Sequence, residues 1–505
     1  METRQRISAE DTGRISRGLS ATARHIVFGD QVDTELDSDL SFSSTVDLAH
    51  AVMLERTGLV DRETARVLLL AVQQLRDTSF APLRGRHAPR GAYLLYEDHL
   101  IATTGMDHGG KLHLGRSRND LKATVLRLRL RDEIRAQLRR TLRLVAVMLS
   151  AARRHRGTVM PAYTQYQPAV PITYGHWLLG ACTAMGRHVD DLFEAHRSLS
   201  ECPLGAGAIG GSDLAIDCAL TARLLGFDVP VRNSVDAVAS RDQVLRVLSA
   251  AAAQAVTMSR LATDLILWTT AADPLLTLPD QLVGSSSAMP QKRNPFLLEH
   301  VRAKSAHVAA AWQAAAGAMH ATPFGNSVEA GTEGVQPTWG GLAATSDAVT
   351  LLTLVFAHAR PRAASMSKRA DTGGTTATAL ANRLTERGIA FRAAHRMVGE
   401  AVRTVEANGG ISAARLATAV AARLRDLGDM HPVDRTLTTC TPGRAVESSE
   451  YGGGPGPRSF ASGFDAAAAS WVTGTAQLAE LDAARSGAAT ELAQAVAALT
   501  GQAAP

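Results

Sequence analysis

The sequence predicts an all-α protein, on three observations. Apolar residues recur at helical spacing through most of the chain, and strand-like alternation is scarce. Alanine is abundant while aromatic residues make up only 4% of the 505 residues, a composition suited to closely packed helices rather than sandwiches. A chain of this length is too long for one compact core, so several domains are expected. Texture changes place boundaries near 115 and 370. They divide the chain into an N-terminal helical domain (1–115), a central helix-bundle domain (116–370) and a C-terminal helical domain (371–505).

Taken in order, residues 1–25 are polar and read as a loose arm. Val46, Leu48, Ala51, Met53 and Leu54, then Ala65, Leu68, Leu69, Val72 and Leu75, have helical spacing. Gly58 and Asp61 supply the break and the cap between these two helices. Residues 84–91 form a loop. The run Gly115-Arg116-Ser117-Arg118-Asn119-Asp120 stands immediately before a long helix over 121–156. Helix N-termini favour anions, so two arginines and an asparagine there make a carboxylate seat. Residues 160–168 open a further helix through Trp177, and 203–208 (Pro-Leu-Gly-Ala-Gly-Ala) are a small-residue loop. Residues 233–242 lead into a long Ala-rich helix reaching Trp268. Another helix begins near Phe296 and carries Glu299, and 322–326 interrupts the helices before an apolar stretch over 342–357. Two short helices flank Gly388, and a glycine-rich loop at 446–458 precedes a last Ala-rich helix. No repeat of solenoid period is visible.

Lys and Arg exceed Asp and Glu by only 53 − 48 = 5, without a basic run or interleaved aromatics. That argues against nucleic acid as a partner and suits a small polyanionic substrate. Cys182, Cys202, Cys218 and Cys440 have neither zinc spacing nor a disulfide framework, and read as small apolar residues in a reducing cytoplasm. The N-terminus lacks an apolar signal core, and no run is expected to span a membrane. The expectation is a cytoplasmic protein that uses no metal and no cofactor.

The chemistry concentrates in residues 284–295, Gly-Ser-Ser-Ser-Ala-Met-Pro-Gln-Lys-Arg-Asn-Pro. Hydroxyls, free backbone N–H groups, one ammonium and one amide are the parts needed to hold a carboxylate. They also suit removal of a proton from the carbon beside it. Lys292 is one of five lysines in a chain whose other cations are all arginine, so its place in this loop is notable.

This loop resembles the signature of the fumarase/aspartase superfamily, Gly-Ser-x-x-Met-x-x-Lys-x-Asn. The wording Met-Pro-Gln-Lys-Arg-Asn-Pro is similar to that of its argininosuccinate lyase branch. The similarity extends to 115–120, 203–208, Asn-Ser-Val-Asp-Ala-Val at 233–238 and Phe-Arg-Ala-Ala-His at 391–395. The resemblance implies a three-domain fold with a central bundle of long helices, assembled as a homotetramer. Its active sites would be shared between chains and built from 115–120, 163–168 and 284–295. It also implies a carbon–nitrogen lyase that releases fumarate by β-elimination through an aci-carboxylate, reversible as amine addition. Ser286 matches the family's base; Ser285 is an alternative, because Gly284 stands one place earlier than the motif's glycine. Lys292 and Asn294 would meet the growing charge. Arg116, Ser117, Arg118, Asn119, Thr164 and Ser287 would hold carboxylates, with Arg241 and Asn326 assisting.

Two departures from the family pattern bear on function. Gln165 stands where the family has a proton-shuttling histidine, although that histidine's glutamate partner is present as Glu299. An amide does not titrate near neutral pH, so the leaving amine needs another acid, with His113, His176 or water as candidates. After Pro323, the Tyr, Gln and Lys that hold the guanidino end in argininosuccinate lyases are replaced by Asn326, Gly331 and Gly334, with Glu329 and Glu333 nearby. The amine is therefore expected to differ from arginine, a diamine-linked succinate being one possibility. The alternatives are a true argininosuccinate lyase and a catalytically impaired, crystallin-like structural homologue.

Overall fold

A computed structural model describes residues 19–28, 32–86, 88, 91–270, 272–426, 437 and 439–502. The expected arm lies outside these up to residue 18; its last part continues as a short helix, Ala21–Phe28. Residues 87, 89 and 90 of the expected 84–91 loop are also outside them.

The spine is the helix Arg118–Arg154. Its start is coded locally. Ser117 Oγ accepts the Asn119 N–H, and the Asp120 carboxylate reaches back to the Ser117 N–H at 2.9 Å, a reciprocal capping box. Beyond the cap, Leu130, Ile134, Leu138, Leu142, Val145, Met148 and Leu149 recur three and four apart and bury one face. Tyr174–Arg197, Asp242–Thr270, Phe296–Met319 and Pro337–His358 complete the bundle around a shared apolar core. The helix Pro337–His358 is, against expectation, part of a stretch long and apolar enough to cross a membrane. Half of that stretch is buried, and Leu342, Val349, Leu352 and Val355 belong to the bundle core.

Two smaller cores flank the bundle. One gathers Val32–Arg56, Arg62–Asp77 and Ala92–Thr104 with Leu204 and Phe227. Asp61 caps the second of these helices by accepting the Thr64 N–H at 2.7 Å, and Gly58 makes the break at φ +72°. The other gathers Ala377–Glu386, Phe391–Ala407 and Ala413–Asp426, the first pair joined through Gly388 at φ +90°. The last helix, Pro457–Thr500, leaves that third core. Its Phe460 and Leu478 pack into the bundle and its Leu492, Val496 and Leu499 into the N-terminal core.

Residues 160–168 are not helical, contrary to the sequence expectation. Val159–Thr164 and Gln167–Thr173 pair as an antiparallel hairpin in which Pro161 faces Pro171. Pro161, Pro168 and Pro171 exclude a continuous helix because each lacks the amide hydrogen a helix needs. The turn is made by Gln165 and Tyr166 at φ +51° and +64°, the conformation of a tight two-residue hairpin. A second, minimal pair joins Leu276–Thr277 to Arg360–Pro361.

Candidate active site

The 115–120 segment divides into buried and presented residues. Arg116 does not face a ligand. Its side chain is fully buried, pairs with Asp47 at 2.5 Å and donates to the Tyr93 hydroxyl at 2.8 Å. Its expected part in holding a carboxylate is therefore corrected to an anchor of the segment on the N-terminal core. Ser117 is occupied as the helix cap, and Asn119 donates from its side-chain amide to Ala208 O at 3.0 Å. Arg118 is exposed at the helix start, with no side-chain hydrogen bond or ion pair among the described residues. The Asp120 carboxylate fixes this arrangement by accepting Ser117 and Leu121 N–H on one oxygen and Gly205 and Gly207 N–H on the other, all at 2.9–3.0 Å. That explains the 203–208 motif. Gly205 and Gly207 have φ +105° and +61°, and a Cβ on Gly205 would sit 2.3 Å from Cys218 Sγ. Asp120 was legible as the fourth residue of a Ser-x-x-Asp cap but received no role from sequence.

Arg241 is brought to the same end of the spine. Lys122, one turn beyond Arg118, feels the charges of both Arg118 and Arg241. Arg241 is 7% exposed, and among the described residues its guanidinium donates to the carbonyls of Val238 and Ser240, at 2.7 and 2.8 Å, and to no carboxylate. Its Nε is buried without a partner, and the neighbouring Asp242 is taken by Ser240 and Arg246. Burial, with Arg127 adding to it, lowers the Arg241 pKa to about 10. A buried guanidinium without a carboxylate costs free energy that an anionic ligand would recover. Asn326 joins it: a Cβ built on Gly331 would lie 3.6 Å from Asn326 Oδ1 and 3.9 Å from Arg241 Nη2. Position 331 thus has room for a side chain. Position 334 does not, because a Cβ there meets the Met319 side chain at 2.8 Å. Glu329–Glu333, which contains Gly331 and is capped by Gly334, forms a π-turn, a conformation frequent at functional sites, with both carboxylates exposed.

The flap 284–295 is closed at its base and open at its tip. Gly284 and Asn294 exchange two backbone hydrogen bonds at 2.9 and 2.8 Å. Arg293 grips the preceding segment through Leu278 O and the Asp280 carboxylate. At the tip, Ser286 Oγ accepts the N–H groups of Ala288 and Met289 at 3.3 and 3.1 Å. Two donors on one hydroxyl oxygen favour its alkoxide, which is what a serine base requires. Ser287 and Lys292 are exposed, and the Lys292 ammonium has no partner among the described residues. Asn294 lies half-buried at the flap base, and Glu299 is exposed on the first turn of the following helix.

These groups lie at two ends of the bundle. From Arg118 to Arg154 the spine rises roughly 54 Å, and the eleven further residues to Gln165 could return at most about 37 Å. Arg118 and the exposed hairpin tip at Thr164 and Gln165 therefore stay well apart within one chain. The helix Asp242–Thr270 likewise carries the chain about 40 Å from Arg241 towards the flap, and Phe296–Met319 carries it about 35 Å back to Asn326. At the far end, the spine terminus (Arg154, His155), the hairpin foot (Tyr174) and the flap approach (Pro279 to Leu282) line one cavity.

The candidate acids differ in fitness. Burial, reinforced by Arg116 and Arg118, lowers His113 to about 3, so it stays neutral at physiological pH. His176 is also lowered by burial, and its Nδ1 is buried without a partner. Glu97, 3.3 Å from His113 and within electrostatic reach of Arg118, is raised to about 6 chiefly by burial. Nothing in its sequence neighbourhood marks it for this part. A carboxyl titrating near neutrality can hold or release a proton there, as Gln165 cannot.

Comparison with known proteins places this geometry. The family model described as Lyase matches residues 97–310, and that described as Argininosuccinate lyase C-terminal matches 374–431. The argininosuccinate lyase of Methanoculleus marisnigri is 38% identical over 424 residues, covering 82% of this chain and 84% of that protein. That of Thermus thermophilus is 37% identical over 363 residues, covering 71% and 78%. Among solved structures, EDDS lyase in complex with formate superposes with a TM-score of 0.84 at 28% identity, covering 98% of this chain and 99% of that one. A double variant of EDDS lyase with bound fumarate superposes at 0.85 and 27%, covering 99% of each chain. Fold and relatives together define a carbon–nitrogen lyase of all-helical architecture. Within that class, the chain belongs to the argininosuccinate lyase branch of the fumarase/aspartase superfamily.

Proposed function

We propose that the protein cleaves an N-substituted aspartate to fumarate and a free amine, and that this amine is not arginine. The observation that carries the dicarboxylate half is Arg241, a buried guanidinium with no carboxylate partner among the described residues, set beside Asn326 and close to Arg118. Ser286, as the alkoxide its two amide donors favour, takes the proton from the carbon next to the distal carboxylate. Lys292 and Asn294 meet the charge that gathers on the aci-carboxylate. The C–N bond then breaks, its electron pair leaves with nitrogen, and Glu97 supplies the proton to the departing amine. For the amine half, Gly331 leaves open space, Gly334 is closed by Met319, and the exposed Glu329 and Glu333 carry charge suited to a second ammonium.

Because Arg118 and Gln165 cannot meet within one chain, the reading requires sites completed by neighbouring copies, in keeping with a homotetramer. The relatives at 36–38% identity favour a second reading, argininosuccinate itself as substrate. Incubating the purified protein with fumarate and a panel of mono- and diamines, following loss of fumarate absorbance, separates the two. Turnover confined to argininosuccinate would refute the amine assignment. No turnover with any partner would favour the structural homologue.

A further inference from the structure

The far-end cavity, about 730 Å³, holds none of the residues assigned to substrate or chemistry. Its volume is that of a small-molecule site. Its lining includes the apolar side chains of Pro279, Leu282, Leu354, Phe356 and Pro361. It also includes Arg154, His155, His358 and Arg360, and no carboxylate among the described residues lines it. The guanidinium groups of Arg154 and Arg360 have neither a hydrogen bond nor an ion pair among the described residues. The nearest acidic residue along the wall, Asp280, is held by Arg293. Basic residues at helix C-termini commonly complement the dipole of their own helix. Arg360, though, follows the end of Pro337–His358 in a strand paired with Leu276–Thr277, and dipole complementation does not account for it.

The cavity wall is also the flap's footing. Arg293 grips Leu278 and Asp280, and Leu282 and Val283 run directly into the Gly284–Asn294 clasp. Arg360–Pro361, also in the lining, pairs with Leu276 and Thr277 just before that footing. We propose that this cavity binds a small organic anion with an apolar body, and that its occupancy restrains the flap. The anionic group would meet Arg154 and Arg360, and the apolar body would lie on Leu354 and Phe356. A ligand bridging 279–282 and 360–361 would tie the segment leading into the flap to the strand that pairs with Leu276 and Thr277 just before it. Anion binding here does not depend on which amine the enzyme releases, and its test needs no turnover.

Calorimetric titration of the native protein with 3-phenylpropanoate, phenyl phosphate and the neutral 3-phenylpropan-1-ol reads the site directly. At least one anion is expected to bind at least tenfold more tightly than the alcohol, and the preferred anion identifies the source of the charge. The pair Arg154→Gln and Arg360→Gln should weaken that anion at least tenfold. Leu354→Trp, at a partly exposed position, should block it by filling the cavity while native circular dichroism persists. Trypsin cleavage at the exposed Lys292 and Arg293, followed by mass spectrometry, should slow at least threefold when the anion is bound. Equal binding of alcohol and anions, no binding of either anion, or unchanged affinity in both folded variants overturns the site. Binding without any change in flap cleavage overturns the restraint.

Discussion

Asp120→Ala is expected to unseat the candidate carboxylate site without touching a substrate. The side chain is fully buried and accepts four backbone N–H groups at 2.9–3.0 Å, two from the helix cap and two from Gly205 and Gly207. Hydrogen bonds to a charged group are worth about 1.5–3 kcal/mol each before the cost of burying the carboxylate. Removing one side of such a buried network typically costs about 3–5 kcal/mol, a large share of a typical stability of about 5–15 kcal/mol. Guanidinium unfolding of the wild type and variant, at matched concentration because the oligomer contributes, measures that loss. Fumarate release measured well below the transition should show KM raised at least tenfold, because Ser117, Arg118 and Asn119 lose their frame. Asp120→Asn keeps one carbonyl oxygen for the cap but sets an amide N–H₂ against the two glycine amides, so it should lie between wild type and Ala. A folded Asp120→Ala enzyme with stability within 1 kcal/mol and unchanged KM would show that the 203–208 contact does not position the site.

Three further expectations can be checked with the same preparations. Gly331→Gln places a side chain where a Cβ makes only ordinary contacts, and should shift the kcat/KM ratio at least tenfold towards argininosuccinate; an unchanged ratio argues against an amine pocket at 331. Glu97→Gln should lower kcat by about 10²–10³ and remove a pH limb near 6, the scale of general acid catalysis, and Gln165→His in that background should restore part of the loss. Buried His50 and His196 and half-buried His113 all have lowered pKa values, burial being the main cause, with His113 near 3 and His196 near 4. As pH falls below about 6.5 the unfolded chain takes up protons that the native histidines refuse, so stability present above 6.5 is lost towards pH 4. The unfolding midpoint should fall between pH 7.5 and 5, and His196→Gln should flatten that slope; Glu97, shifted the opposite way, offsets part of it.

Much of the architecture was legible because it is written in local terms. Ser117 with Asp120, Asp61 before Thr64, and Gly58 and Gly388 at left-handed breaks each specify an element boundary within a few residues. The hairpin at 159–173 was missed because its apolar residues sit between prolines whose facing partners become clear only once the strands pair. Arg116 was misread for a related reason. Adjacent to Ser117 and Arg118 it shares their composition, but its direction is set by Asp47 and Tyr93, some 70 and 23 residues away in sequence. The same limit hid the setting of Arg241, since only the placing of its neighbours shows that it donates to backbone carbonyls and, among the described residues, to no carboxylate. The flap chemistry was readable in full as residue types, whereas the Ser286 hydroxyl's two amide donors required the loop's shape.

The most direct measurement is single-turnover fumarate formation by Ser286→Ala, with Ser285→Ala beside it and an N-substituted aspartate that the wild type turns over. Ser286→Ala is expected to lose about 10²–10⁴ in the chemical step while still binding fumarate, and Ser285→Ala to lose little. Wild-type turnover by Ser286→Ala, or the larger loss falling on Ser285→Ala, would contradict the assignment of the base.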